Sequence, residues 1–146
     1  MKPEFKQYLN KIGATQPIQE RVEHFWHLCS RLAFQPLMDI FIDEYPNQDK
    51  TRVYDGLMFY SRYYTFAIPY FLTSEDITIL AHYNLQDEIR ITVKNFDFRK
   101  TNKDSLMNVE LSYEKQTTGS YKASQENCIH LVKILRRYVK PYLYKT

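Results

Sequence analysis

The spacing of apolar residues changes period twice along this chain, and that change limits the fold more than any other feature. Up to about residue 33 apolar residues recur at helical spacing, first through Phe5, Tyr8, Leu9 and Ile12, then through Ile18, Val22, Phe25, Trp26, Cys29, Leu32 and Ala33. After Pro36 the repeat shortens to two, and from Cys128 it lengthens again through Leu131, Val132, Leu135 and Val139. A period near 3.6 places apolar side chains along one side of a helix, and a period of two along one face of a strand. The order predicted is two helices, a run of strands and a last helix.

Local signals refine those elements. A first helix over 3–12 has Pro3 in its opening turn and Gly13 as its C-terminal cap. A second over 16–33 starts from Thr15 or Gln16 with Pro17 behind it. The last, over 125–140, is capped by Ser124 and ends where Lys140 precedes Pro141. Strands are expected at 38–44, 52–60, 63–71, 76–83, 88–95, 107–114 and 120–123. Val53, Leu57 and Phe59 share one face of the second. Turn chemistry falls at Pro46-Asn47-Gln48-Asp49 and at Thr117-Thr118-Gly119. Ile89, Ile91 and Val93 alternate cleanly, but Phe96 and Phe98 carry the opposite parity, so a β-bulge or break is expected near Asn95.

Short links between consecutive strands imply antiparallel pairing. Helices segregated to the ends of such a sheet give an α+β fold, here about seven strands in a bent antiparallel sheet or partly open barrel. The element order over 37–140 resembles the pleckstrin-homology superfold. That resemblance implies a bent antiparallel barrel closed by its C-terminal helix, with residues 1–35 as a helical addition packed on it. At 146 residues the chain is expected to form a single domain, 1–146.

Composition excludes several chemistries. With 3 Gly in the whole chain, at Gly13, Gly56 and Gly119, no glycine-rich phosphate cradle can be assembled. No GxSxG motif and no other local nucleophile signature occurs. Cys29 and Cys128 fall on apolar helix faces and read as buried thiols, which with the lack of a secretion signal points to the cytoplasm. No apolar run reaches the roughly 20 residues a membrane-spanning helix needs.

Few groupings carry chemistry. His24 and His27 form an HxxH, but Cys29 lies on the opposite helix face, and a solvated polar face with a Glu20–His24 pair accounts for them. Asp43, Tyr45, Asn47, Asp49 and Asp55 lack the glycine and the closing glutamate of a calcium loop and read as an acidic hairpin tip. Glu110 and Glu114 read as a solvent-facing strand edge. No catalytic, cofactor or metal residue is assigned.

Two surface features remain. On the last helix His130, Lys133, Arg136, Arg137 and Lys140 share one side of the wheel, with Ile134 exposed beside them. Residues 127–146 contain no acid, whereas 39–55 hold Asp39, Asp43, Glu44, Asp49 and Asp55. Rings and cations also interleave at Tyr60-Ser61-Arg62-Tyr63-Tyr64 and across 94–100. With 13 Tyr, more than a core of this size needs, the chain reads as a non-enzymatic module that recognises a protein partner or a second copy of itself. One alternative is nucleic-acid binding through the basic helix and Tyr60, Arg62 and Tyr64. Another is a small enzyme whose site is assembled from distant residues.

Overall fold

The computed structural model describes residues 1–46, 52–73, 75–84, 90–94, 106–113, 116–124 and 126–138. In chain order it contains α1 (Pro3–Lys11), α2 (Gln16–Leu32), β1 (Asp39–Pro46), β2 (Arg52–Tyr60), β3 (Tyr64–Ile68), β4 (Leu80–Tyr83), β5 (Arg90–Lys94), β6 (Leu106–Tyr113), β7 (Gln116–Ser124) and α3 (Glu126–Tyr138). The class is α+β. The strands form a four-stranded sheet in the order β1-β2-β3-β4 and a three-stranded sheet in the order β5-β6-β7, where one bent sheet was expected. Among the described residues no helix is long and apolar enough to cross a membrane.

The chain divides into two compact units, Met1–Ile42 with Asp55–Asn84, and Asp43–Tyr54 with Leu85–Thr146. The first is organised by its helices. At the end of α1 the chain makes a Schellman turn: Gly13 N–H donates to Asn10 O at 3.1 Å and Ala14 N–H to Leu9 O at 2.9 Å. Gly13 has φ +78°, a conformation that costs a side-chain-bearing residue energy and glycine none. Phe5 of α1 packs on Phe59 of β2 with ring centroids 6.3 Å apart, and Phe25 of α2 meets Phe71 edge-on at 6.4 Å. Ile42 N–H donates to the Tyr8 hydroxyl at 2.9 Å, so α1 is tied to β1 by a directed bond as well as by burial.

Leu9, Val22, Cys29, Ile40, Phe41, Leu57, Phe59, Ile68 and Phe71 are buried in this unit. A fully buried aliphatic or aromatic side chain of this kind contributes roughly 1.5–3 kcal/mol. Leu57, Met58, Phe59 and Tyr60 are all buried, so both faces of β2 are covered over these four residues. On the inner stripe of α2 Val22, Phe25 and Cys29 are buried, whereas Leu32, expected on that stripe, is exposed; Leu28 and, just beyond the helix, Phe34 are exposed too.

Strand ends also move. β2 pairs antiparallel with β3 from Leu57 opposite Ile68 to Tyr60 opposite Thr65. β3 then stops at Ile68 rather than continuing to 71, because Pro69 brings no N–H to a ladder and Tyr70 takes φ +53°. β4 covers the last part of the expected 76–83 strand, with Leu80 opposite Ala67 and Tyr83 opposite Tyr64.

In the second unit β6 is the central strand, antiparallel to β5 and to β7. Thr117-Thr118-Gly119, expected as a turn, lies inside β7. Leu111 faces Gly119 but Ser112 faces Thr117, so Thr118 is the additional residue of a bulge. The turn chemistry there bends a strand instead of ending one. The bulge expected near Asn95 lies outside the described residues, as do Asn47, Gln48 and Asp49 of the expected turn. Helix α3 packs on β7. Cys128 Sγ lies 2.9 Å from Ala123 O, and Asn127 Nδ2 donates to Glu44 Oε2 at 3.2 Å. Lys122 N–H donates to Asp43 Oδ1, so Asp43 serves as a hydrogen-bond acceptor in the unit rather than as part of an open acidic tip.

Candidate interaction surfaces

The buried side of α3 is Asn127, Leu131, Ile134 and Tyr138, spaced four, three and four residues apart along one stripe of the helix. This rotates the expected stripe. Ile134, expected on the surface, is only 3% exposed, and Val132, expected inside, is 43% exposed. Leu135 and Cys128 are half-buried at the margins. Two polar-tipped residues set the rotation: Asn127 finds a buried acceptor in Glu44, and Tyr138 buries its ring.

The solvent side of α3 is consequently mixed. Ile129, 57% exposed, and Val132 share it with Lys133, Arg136 and Arg137. These positions fall at i, i+3, i+4, i+7 and i+8, which makes them neighbours on one face. The Arg137 guanidinium sits 5.9 Å from the centroid of the Tyr138 ring, lying along the edge of the buried stripe. His130 is half-buried beside this face. Lys140 lies outside the described residues.

The tyrosine–arginine segment is divided by its hairpin. Tyr60 is buried, with its hydroxyl 3.7 Å from Met58 Sδ, so it presents no ring to a ligand. The interleaving of rings and cations at 60–64 suggested an exposed ring here, but Tyr60 points into the core. Arg62 and Tyr63 are exposed at the turn, the Arg62 guanidinium 5.2 Å above the Tyr63 ring, and Tyr64 is half-buried. Asn84 ties both sides of the turn together. Its Nδ2 donates to Ser61 O at 2.9 Å and its backbone N–H to Tyr63 O at 2.8 Å, while Thr65 Oγ1 donates to its Oδ1. Sequence reasoning missed Asn84, because an isolated Asn carries no pattern.

A further feature lies in the first unit. An open groove of about 390 Å3 is lined by Arg21, His24, Phe25, His27, Leu28, Arg31 and Ile77. Its floor is the polar side of α2, which the sequence suggests is merely solvated. Arg21 Nε donates to Phe71 O, and the guanidinium lies 5.6 Å over the Phe25 ring, which holds it against the groove wall. His27 rests edge-on against Trp26 at 4.9 Å, and its Nε2 is 3.9 Å from Glu23 Oε1. The acidic neighbour along the helix is thus Glu23 to His27, where Glu20 to His24 was expected.

Among the described residues no group of three or more His, Cys, Asp or Glu side chains could hold a metal ion. Glu110 stands on the central strand β6, opposite Thr92 and Ser120, and not on a sheet edge. Glu114 lies outside the described residues. Burial pushes the Cys29 thiol up to about 11, which makes it a packing residue and a poor nucleophile. No protein-family model, no curated protein and no solved structure matches this chain.

Proposed function

We propose that residues 1–146 act as one non-catalytic interaction module whose α3 face docks a protein partner. The observation that carries this reading is the exposure of Ile129 and Val132 among Lys133, Arg136 and Arg137. A phosphate backbone rewards the cations and gains little from exposed β-branched side chains. A protein interface uses both, with an apolar centre, arginine enriched around it and a polar rim. The meander β5-β6-β7 with α3 packed on its last strand supports, as part of the same proposal, the pleckstrin-homology-like outline over 37–140.

The nucleic-acid reading keeps one specific support, the exposed Arg62–Tyr63 pair at the β2–β3 turn. Two variants separate the readings: Ile129→Asp with Val132→Asp, and Lys133→Glu with Arg136→Glu and Arg137→Glu. Affinity capture by the purified chain is compared among wild type and both variants, beside fluorescence polarisation with labelled oligonucleotides at low and moderate salt. The protein-partner reading expects one captured protein to be lost by both variants. Oligonucleotide binding that falls steeply with salt, and that the aspartate variant retains, overturns it in favour of nucleic acid.

A further inference from the structure

We infer that the α2 groove is a second docking site, independent of the α3 face, for an acidic segment of a protein partner in which carboxylates alternate with aliphatic side chains. The lining residues contain no acid. Arg21 and Arg31 carry a charge at every working pH, and His24 and His27 add ring N–H donors in either protonation state. Leu28 and Ile77 line the same groove, and both are exposed. A ligand that satisfies all of these needs anionic groups and apolar groups in close alternation. Arginine clusters recognise acidic motifs by charge-assisted hydrogen bonds, and apolar pockets beside them take the anchoring side chains.

The helix extends this pairing along its axis. His24, His27, Leu28, Arg31 and Leu32 fall at i, i+3, i+4, i+7 and i+8 on the exposed side of α2, and Phe34 stands fully exposed just past its end. Cations and aliphatics therefore form a continuous track, not a single pocket. The track also has fixed points. Arg21 is held by Phe71 O and the Phe25 ring, so part of the ordering that binding requires is complete beforehand. Acids neighbour the lining residues without lining the groove: Glu23 lies beside His27, and in the chain Glu20 precedes Arg21 while Glu75 and Asp76 precede Ile77, all three exposed. They disfavour a dense polyanion more than a segment whose charges are interrupted by aliphatics. A volume of about 390 Å3 falls within the roughly 300–1,000 Å3 range of ligand clefts.

Trp26 supplies the readout, being the only tryptophan of the chain and in ring contact with His27 of the groove. The probe is a synthetic peptide of alternating Asp or Glu and Leu or Ile, titrated while Trp26 emission and the anisotropy of a label on the peptide are followed. Three comparison probes are the same peptide with Ser for each aliphatic, the same with Lys for each acid, and a single-stranded oligonucleotide. Variants are Arg31→Glu, His24→Glu and Ile77→Asp, all at exposed positions, with Lys133→Glu/Arg136→Glu/Arg137→Glu as the α3 control; circular dichroism verifies that each is folded. The expected result is saturable binding of the acidic–aliphatic peptide with a change in Trp26 emission. Affinity should drop at least about tenfold in Arg31→Glu, and in Ile77→Asp, while the α3 control keeps it. The proposal is overturned by absence of binding, by equal binding of the serine peptide, by stronger binding of the oligonucleotide, or by indifference to Arg31→Glu. Concentration-dependent dimerisation that Arg31→Glu abolishes also overturns it, since the occupant is then a second copy of the chain. Loss of α3 binding with the groove intact leaves this inference standing, and the converse holds for the α3 reading.

Discussion

Asn127 Nδ2 donates to Glu44 Oε2 across 3.2 Å, and both side chains are almost wholly excluded from water. This bond joins the first turn of α3 to β1 residues of the same unit and sets which side of the helix turns inward. Asn127→Ala removes a donor from a buried carboxylate and is expected to cost about 1–3 kcal/mol. Asn127→Asp is expected to cost more at neutral pH, since it sets a second acid against the first. Urea denaturation at neutral and mildly acidic pH checks both. An aspartate variant as stable as wild type at neutral pH rules out this role for the pair.

Gly13 closes α1 at φ +78°, and a Cβ built there meets nothing within 4 Å. Any penalty for Gly13→Ala is therefore one of backbone conformation alone, expected at about 1–2 kcal/mol. Gly13→Asn should lose less, because asparagine tolerates the left-handed region better than alanine. Thermal unfolding of the two variants gives the ordering. Alanine at least as stable as asparagine contradicts it.

Cys29 holds its proton in the folded protein up to about 11, against 9.0 in an unperturbed thiol. Two consequences follow. At mildly alkaline pH Cys29 should resist alkylation until the protein unfolds, because the thiolate is the reactive form. Between pH 9.0 and about 11 the unfolded chain releases this proton and the folded one keeps it. Stability should therefore fall as pH rises through that window, by up to about 1.4 kcal/mol per pH unit from this group. Cys29→Ala removes that share of the slope, and denaturation curves of the two proteins at several alkaline pH values measure the difference. Identical slopes contradict the assignment.

How far the sequence speaks for the structure differs from element to element. The two N-terminal helices, their first-turn prolines and the Gly13 turn were legible, because Pro3, Gly13 and Pro17 act through the backbone and need no tertiary context, whereas Thr15 at the head of α2 makes no side-chain capping bond. The last helix was legible as a helix but not in its rotation. Apolar residues occupy positions 128, 129, 131, 132, 134 and 135, so nearly every side of its wheel offers a plausible inner stripe. The choice was made by Asn127 and Tyr138, whose polar atoms argue for the surface until a partner such as Glu44 is in place. Thr117-Thr118-Gly119 shows the same limit in a strand. The residues that favour a turn also favour a bulge, and only pairing with β6 distinguishes the two. Of the candidate surfaces, Lys133, Arg136, Arg62 and Arg137 were found from charge and spacing. The groove was not, because Ile77 joins α2 from a distant part of the chain.

The first unit takes Met1–Ile42 and Asp55–Asn84, and the second takes Asp43–Tyr54 and Leu85–Thr146, so the polypeptide changes unit three times. Neither unit is a continuous stretch of chain. Cutting after Asn84 leaves Glu44 and Asp43 on the leading fragment, and strands Asn127 and Lys122 on the trailing one without their acceptors. Truncation at one point therefore cannot separate the two units intact. During synthesis, too, the acceptors in β1 leave the ribosome long before the donors that complete them, so the second unit can close only after β7 and α3 have been made.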